Sequence, residues 1–195
     1  MIDIVLIRHA PTAWNEQGLY QGRTDIPLSE AGIKQFEGFE QSEKWKNYRI
    51  FSSPLVRATQ TANLLFPKAN LEIDSRLIEM DFGSLEGTSI EARKENEDYA
   101  PPSYGWRGWD SGPSSAETYA QVATRFLSWV EEAALLQKNV VAITHKGVIL
   151  AAMGLAYQWD MKSKRPFKIK KDAYQVLTYS KEFGLKVRLE NQSLS

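Results

Sequence analysis

The sequence predicts an α/β fold, a three-layer sandwich in which helices cover both faces of a mostly parallel central sheet. Three observations lead to this prediction. Short apolar runs rich in β-branched residues alternate with longer stretches of helical character. These runs are apolar throughout and do not alternate between apolar and polar residues as a half-exposed strand does. Continuous apolar runs are typical of strands buried on both faces. Near the C-terminus, residues 174–179 and 185–189 flank Phe183-Gly184, which indicates an antiparallel hairpin at the edge of the sheet.

The first half of the chain contains two of the apolar runs. Residues 2–7 form the first predicted strand, and residues 48–51 form the second. The second run is followed by Ser-Ser-Pro at residues 52–54, where a serine N-cap and a proline at the first helical position predict the start of a helix. We expect this helix to end near Phe66.

The second half repeats the pattern. Residues 140–144 form another predicted strand, and a helix is expected from Gly147 to about residue 157. Two further helices are predicted over residues 29–44 and 114–137. The second of these opens with Ser114 and Glu117 in the spacing of a capping box.

Length and composition predict a single domain over residues 1–195. Hydrophobic residues make up 43% and charged residues 25% of the chain, as in ordinary globular domains. Residues 97–116 combine prolines, glycines and aromatic residues without periodicity, which predicts a long loop and a candidate lid over the substrate. Trp106 and Trp109 of this loop either stack on a substrate or pack the loop onto its own domain.

Charge and composition narrow the possible partners. Lysine and arginine together (24) equal aspartate and glutamate together (24), so we expect no nucleic-acid partner, and no membrane partner is predicted. The chain has no cysteine, which excludes thiolate nucleophiles and cysteine-ligated metal sites.

The first residues lack the features of a targeting segment, so a cytoplasmic location is expected. Residues 162–171 carry six cations. Such a segment either steers anions towards the protein or is simply a surface exposed to solvent. Because the total charge of the chain is neutral, we favour the solvent-exposed surface.

The two histidines of the chain carry the main functional signal. His9 and His145 each come directly after an apolar run, in IVLIRH and VVAITH. Because ligands of open α/β sheets bind beyond the carboxyl ends of strands, we expect both imidazoles at one site. With Arg8 and Arg57 they would surround a tetrahedral anion, and these guanidiniums would repel a metal ion. The alternative is that each histidine ends a strand and forms only local hydrogen bonds.

Five blocks of the sequence resemble the histidine phosphatase superfamily, the phosphoglycerate mutase-like family. They are LIRHAPTAWN, QGRTDIPLSEAG, SSPLVRATQTA, RLIEMDFGSLEG and AITHKGV, which follow the order of the family and span residues 6–148. The resemblance implies a metal-independent phosphatase without a cofactor. It implies that His9 is transiently phosphorylated and that four residues hold the phosphoryl group: Arg8, Asn15, Arg57 and His145.

The resemblance also implies that Glu79 is the general acid for the leaving alcohol and then the general base for water. A carboxyl group beside bound phosphate has a raised pKa, which suits both roles. Asp81 and Glu86 are nearby alternatives, although a surface turn around Gly83 and Gly87 explains both. Glu117 lies where the family has a Gly-Glu-Ser block, but its predicted capping box explains it. Ala10 replaces the glycine that usually follows the nucleophile.

The expected function is the hydrolysis of a phosphomonoester of a small metabolite through a phosphohistidine. Classical mutases of the family carry additional basic residues around the general acid and a longer insertion, whereas Arg107 is the only cation of this sequence between residues 95 and 124. Hydrolysis is therefore favoured over phosphoglycerate-type mutase activity. A non-catalytic relative that binds phosphorylated ligands is a second alternative, which the presence of every catalytic residue type disfavours. The sequence selects neither a substrate nor an oligomeric state.

Overall fold

The computed structural model describes residues 1–36, 43–91, 108–110 and 116–194. Within these ranges a six-stranded sheet has the order β3-β2-β4-β1-β5-β6. Its strands are β1 Ile2–Arg8, β2 Arg49–Ser52, β3 Leu71–Ile73, β4 Val140–Thr144, β5 Ala173–Ser180 and β6 Gly184–Ser193. Strands β1 to β4 pair in parallel, and β5 and β6 form an antiparallel hairpin at one edge. The predicted fold class and its edge hairpin are therefore confirmed.

Helices cover both faces of the sheet. Those described are α1 Ala13–Glu16, α2 Glu30–Lys34, α3 Val56–Leu65, α4 Tyr119–Leu135 and α5 Lys146–Ala156. Short 3-10 turns lie at Glu43–Trp45, Ser75–Leu77 and Gly83–Leu85. Helix α3 packs on one face of the sheet, and helices α4 and α5 pack together on the other. None of the helices in the described ranges is long and apolar enough to cross a membrane.

Alternate residues of the central strands contribute to two separate cores. Ile4 and Leu6 of β1 belong to the core beneath helices α4 and α5, whereas Val5 and Ile7 belong to the core beneath helix α3. Side chains along a strand point to opposite faces, so a strand covered on both faces has no solvent side. This explains why the runs are apolar throughout, as the sequence analysis expected.

Helix α3 begins later than the sequence predicts. Its N-cap is Leu55, which makes no side-chain capping bond, rather than a serine of residues 52–54. The Oδ1 atom of Asp25 instead accepts a hydrogen bond from the backbone N–H of Val56 at 2.7 Å. The predicted serine cap is wrong: Ser53 lies two residues before the N-cap, and its hydroxyl contacts a side chain of the site described below.

Helix α4 also begins later than predicted, at Tyr119. Its N-cap is Thr118, whose Oγ1 accepts from the backbone N–H of Gln121 at 3.3 Å, while Gln121 Oε1 accepts from the Thr118 N–H at 2.7 Å. This capping box replaces the one predicted with Ser114 and Glu117, which is wrong. Ser114 lies outside the described residues, and Glu117 precedes the helix.

Several predicted segments are shorter than expected or fall partly outside the described ranges. Of the helix predicted over residues 29–44, only α2 and the 3-10 turn at its end are described. The sequence does not predict strand β3, because a strand of three residues at the edge of the sheet is too short to show a hydrophobic pattern. Most of the candidate lid, including Trp106, lies outside the described residues. Trp109 packs onto the domain: its Nε1 donates to the Trp159 carbonyl oxygen at 3.0 Å.

Trp129 occupies the centre of the core beneath helix α4. It is 1% exposed, and its ring lies edge-on to Phe51 with centroids 5.5 Å apart and tilted against Phe126 at 5.7 Å. Its Nε1 is buried without a hydrogen-bond partner in the described part of the chain. The indole therefore contributes through packing and not through its polar atom.

We predict that Trp129→Ala lowers the free energy of unfolding by about 3–5 kcal/mol, because it leaves a large cavity. Trp129→Phe should cost clearly less, since the phenyl ring fills much of the space and removes the unpaired donor. Urea denaturation followed by circular dichroism measures both. Leu135→Ala, at an exposed position of the same helix, is the control and should change stability by less than about 0.5 kcal/mol. Equal losses for the phenylalanine and alanine variants would contradict this account.

Candidate active site

Three parallel strands bring their carboxyl ends together at one edge of the sheet. Strand β1 is followed by His9, β4 by His145 and β2 by Ser53. The backbone N–H of His9 donates to the Thr144 carbonyl oxygen, and that of Ser53 donates to the Ile143 carbonyl oxygen, both at 3.0 Å. The hydrogen bonds of the sheet thus continue one residue past the strands and fix the spacing of the side chains that follow them.

The two histidines lie side by side, as the sequence predicts. Their ring centroids are 5.1 Å apart with an angle of 53° between the planes, and both side chains are buried. The Nδ1 atom of His9 lies 2.7 Å from the carbonyl oxygen of Ala10. Because a carbonyl oxygen only accepts hydrogen bonds, Nδ1 carries the proton in the neutral ring and Nε2 keeps a free lone pair.

Burial and neighbouring cations keep both imidazoles neutral. Burial lowers the pKa of His9 well below its usual value, and the charges of Arg8 and Arg57 lower it further. The pKa of His145 is also lowered well below its usual value, first by burial and then by His9 and the same arginines. A neutral imidazole is a nucleophile, whereas an imidazolium is not.

Ser53 is a site residue that the sequence analysis missed. Its Oγ lies 2.7 Å from His145 Nε2 and accepts a hydrogen bond from the backbone N–H of Leu55 at 3.3 Å. The serine thereby fixes the ring of His145, whose Nδ1 is buried without a partner among the described residues. Its position directly after a strand, like that of both histidines, was the signal that could have identified it.

Two arginines supply positive charge beside the histidines. Arg57 is completely buried, and its two terminal nitrogens donate to the carbonyl oxygens of Thr24 at 2.8 Å and Gly22 at 2.6 Å. The Nε atoms of Arg57 and Arg8 are buried without hydrogen-bond partners in the described ranges. Burial lowers the pKa of both guanidiniums. Because unpaired buried donors on a cation are costly, this arrangement suits the binding of an anion.

Glu86 holds the loop that orients Arg57. Its carboxylate accepts hydrogen bonds from the backbone N–H groups of Arg23 at 2.8 Å and Thr24 at 2.9 Å, and from Thr24 Oγ1 at 2.5 Å. Gly22 has a φ of 52°, and a Cβ there would collide with the Glu86 carboxylate, so this position requires glycine. The surface turn expected from the sequence accounts for the backbone near Glu86. It does not account for the Glu86 carboxylate, which binds the loop whose carbonyl oxygens orient Arg57.

Glu79 is buried beside the start of helix α5. Its Oε1 accepts from the backbone N–H groups of Met80 at 2.8 Å and Gly147 at 3.1 Å. A Cβ at residue 147 would collide with this carboxyl group, so glycine permits the close approach. Burial raises the pKa of Glu79, although these hydrogen bonds and the charge of Arg57 act in the opposite direction. A raised pKa allows this carboxyl group to carry a proton that it can donate.

The other two candidate carboxylates have structural partners. Glu117 accepts from Arg125 Nε at 2.7 Å and from the backbone N–H of Asp81 at 3.2 Å. Asp81 Oδ1 accepts from the backbone N–H of Gly83 at 2.8 Å and so closes the turn expected there. Glu117 therefore braces this turn against helix α4, in place of its predicted role in the capping box.

Asn15 takes part in a capping box at the start of helix α1. Its Oδ1 accepts from the backbone N–H of Thr12 at 3.2 Å, while Thr12 Oγ1 accepts from the Asn15 N–H at the same distance. The capping bonds account for the orientation of this side chain. Its role in phosphate binding stays a prediction.

The described residues contain no group of three histidine, cysteine or acidic side chains that could hold a metal ion. The site instead combines an unprotonated imidazole nitrogen, a second neutral imidazole, two guanidiniums and a buried carboxyl group with a raised pKa. This set provides a nucleophile, charge for an anion and a proton donor.

Known proteins resemble this chain in sequence. Phosphoserine phosphatase 1 of Hydrogenobacter thermophilus is 34% identical over 157 residues, which cover 74% of this chain and 71% of that protein. Probable phosphoglycerate mutase GpmB of Salmonella paratyphi C is 34% identical over 110 residues, which cover 55% of this chain and 48% of that protein.

Structural similarity extends over almost the whole chain. The solved structure of a mycobacterial glucosyl-3-phosphoglycerate phosphatase superimposes with a TM-score of 0.84 at 24% identity, covering 99% of this chain and 100% of that one, and so shows the same fold. The sequence model of the histidine phosphatase superfamily (branch 1) matches residues 4–192. The chain therefore belongs to the histidine phosphatase superfamily.

Proposed function

We propose that this chain is a phosphomonoester hydrolase that acts on a small phosphorylated metabolite through a phosphohistidine at His9. The observation that carries the proposal is the 2.7 Å contact of His9 Nδ1 with the Ala10 carbonyl oxygen, which leaves Nε2 as the nitrogen with the free lone pair in a buried ring beside two guanidiniums. Relatives named phosphoserine phosphatase, one of them described as metal-independent, support hydrolysis as the reaction.

In the first step, the His9 Nε2 lone pair attacks phosphorus. The nitrogen–phosphorus bond forms while the bond from phosphorus to the ester oxygen breaks. Arg8, Arg57 and His145 hold the phosphoryl oxygens, with Asn15 as a further donor, and stabilise negative charge throughout the transfer. The proton of Glu79 passes to the departing oxygen, so the product leaves as a neutral alcohol.

In the second step, water replaces the histidine on phosphorus. The Glu79 carboxylate takes a proton from this water as its oxygen attacks, and the nitrogen–phosphorus bond breaks. Inorganic phosphate is released, His9 regains its lone pair and Glu79 is again protonated. One carboxyl group thus serves both steps, which requires a pKa that burial has raised from its ordinary value.

Phosphoglycerate-type mutase activity is the second candidate, and similarity to the probable mutase GpmB is the observation that favours it. A mutase returns the phosphoryl group from His9 to another hydroxyl of the substrate. Product analysis distinguishes the two reactions, since a phosphatase releases inorganic phosphate without forming an isomer.

Two features of the proposal concern the chain as a whole. The candidate lid over residues 97–116 would cover the site within a single domain of residues 1–195. A cytoplasmic location fits a small phosphorylated metabolite as substrate. Both remain predictions from the sequence.

The first test concerns the covalent intermediate. Protein mixed with a radiolabelled phosphate ester and quenched rapidly should carry acid-labile, base-stable phosphate. His9→Ala should carry none and should lose about 10³-fold or more in kcat. His145→Gln is the control, because it keeps the nucleophile and should still become labelled, although more slowly. Label that persists on His9→Ala, or hydrolysis that disappears in excess chelator, would overturn the mechanism.

The second test concerns the proton donor. Glu79→Gln should lower kcat for an alkyl phosphate by about 10²–10⁴-fold, because an alkoxide is a poor leaving group without a proton. It should lower the formation of phosphoenzyme from p-nitrophenyl phosphate much less, since that leaving group needs little protonation. Asp81→Asn is the control and should show no such dependence on the leaving group. Equal losses on both esters with Glu79→Gln would identify a different acid.

The third test is the pH dependence of kcat/KM. Activity should fall as the pH decreases through the pKa of His9, which lies below its usual 6.5, because the imidazolium cannot attack. It should fall as the pH increases through the pKa of Glu79, which lies above its usual 4.5, because the carboxylate cannot donate. The profile should therefore be bell-shaped. In Glu79→Gln the alkaline limb that belongs to Glu79 should disappear, whereas a limb caused by ionisation of the substrate would persist. An acidic limb at or above pH 6.5, or an alkaline limb that is unchanged in Glu79→Gln, would contradict the assignment.

A further inference from the structure

Ser53 and His145 meet at the carboxyl ends of strands β2 and β4. Both side chains are completely buried, and Ser53 Oγ lies 2.7 Å from His145 Nε2. Burial lowers the pKa of His145 well below its usual value, so the ring is neutral and carries a single proton. Whichever of the two groups donates in this hydrogen bond therefore decides which ring nitrogen of His145 carries that proton.

The second contact of the Ser53 hydroxyl decides between the two arrangements. Its oxygen already accepts a hydrogen bond from the backbone N–H of Leu55 at 3.3 Å. Among the residues that the structure describes, His145 Nε2 is the only hydrogen-bond acceptor for the proton of this hydroxyl. If Nε2 carried the ring proton, the oxygen would accept two hydrogen bonds and its own proton would be buried without an acceptor, which is costly. The hydroxyl therefore donates to Nε2.

This tautomer places a donor at the ring nitrogen that has no partner. The proton of His145 lies on Nδ1, which is buried and forms no hydrogen bond within the described ranges. The Nε atoms of Arg8 and Arg57 are buried and unpaired in the same way, so the site contains three unpaired donors. An anion bound there can pair with them, whereas a lone pair on Nδ1 would repel its oxygens.

We propose that Ser53 is a positioning residue that keeps the proton of His145 on Nδ1, so that this neutral ring donates a hydrogen bond to a phosphoryl oxygen. The two histidines then have the same tautomer for different purposes. The Ala10 carbonyl oxygen holds the Nδ1 proton of His9 and leaves Nε2 free to attack, whereas Ser53 occupies Nε2 of His145 and leaves Nδ1–H free to donate. The identity of the anion rests on the proposed function.

Nitrogen-15 NMR of protein labelled at histidine measures the tautomer directly, because protonated and unprotonated ring nitrogens have widely separated chemical shifts. The chain has only two histidines, and His9→Ala assigns their signals. At neutral pH, wild-type His145 should show a protonated Nδ1 and an unprotonated Nε2. Ser53→Ala should add the signals of a ring protonated at Nε2, because nothing then holds the proton on Nδ1.

Ser52→Ala is the matched control for this measurement. Ser52 is equally buried, but its hydroxyl donates to the Ser53 carbonyl oxygen at 2.9 Å and does not contact the imidazole. The tautomer of His145 should be unchanged in this variant. A wild-type ring protonated at Nε2, or the same tautomer in Ser53→Ala as in the wild type, would overturn the inference.

A double-mutant cycle tests whether Ser53 acts through His145. Ser53→Ala should lower kcat/KM for p-nitrophenyl phosphate about tenfold, because fewer molecules have the donating tautomer. In a His145→Ala background the same substitution should cost little further activity, since the ring on which Ser53 acts is gone. A merely structural role would lower kcat/KM equally in both backgrounds, and that result would contradict the inference.

Binding of inorganic phosphate separates this inference from the proposed function. In His9→Ala, calorimetry should show that adding Ser53→Ala raises the Kd for phosphate about tenfold, and phosphate should shift the signal of the His145 Nδ1 proton. Phosphate bound in this way by a wild-type protein that hydrolyses no phosphate ester would support the inference and overturn the proposed function. Hydrolysis by a protein whose His145 is protonated at Nε2 would leave the proposed function standing and overturn the inference.

Discussion

The concentration of buried positive charge at the carboxyl ends of β1, β2 and β4 is the constraint on which this structure depends. Arg57 is completely buried and the Nε of Arg8 is buried too, so both guanidiniums lose hydration while lying close enough to repel each other. Taking charge out of water is costly, and neighbours that can give up a proton therefore do so. Burial first, and the neighbouring guanidiniums after it, lower the pKa of His9 and His145 and so favour their neutral forms. In the proposed mechanism, the cations that would hold phosphate thus also help to keep the attacking imidazole unprotonated.

The backbone supplies the groups that make this arrangement possible. Carbonyl oxygens hold Arg57 through the loop that Glu86 closes, so the guanidinium is oriented by neutral acceptors that do not cancel its charge. Glu79 accepts hydrogen bonds from the backbone N–H of Met80 and from that of Gly147 in the first turn of helix α5, where the helix dipole also favours a negative charge. Gly22 and Gly147 are required at the two points where these carboxylates approach the backbone. Glu79 consequently remains a weak acid near the guanidiniums and is not locked in an ion pair with them.

The sequence predicted those parts of the fold that depend on one dominant effect. Strands buried on both faces need apolar residues at every position, so β1 and β4 were recognisable, and the histidines that follow them marked the site. The starts of α3 and α4 were misplaced because several serines, threonines and acidic residues compete for one cap. Ser53 contacts His145 in place of capping a helix, and Thr118 takes the position expected for Ser114. Glu86 was undervalued for a related reason: its partners in the loop are distant in sequence, and a pattern along the chain does not show them.

The buried cations beside the two histidines are arginines, and this choice has a consequence for the proposed reaction. The buried positions hold arginines, which remain charged despite burial and have a rigid planar geometry, as stabilisation of a transferring phosphoryl group requires. Interactions that are equal in the ground state and the transition state lower KM without raising kcat. In the proposed mechanism Arg8 and Arg57 act on the phosphoryl oxygens during the transfer, so their removal is expected to lower kcat and not only to raise KM.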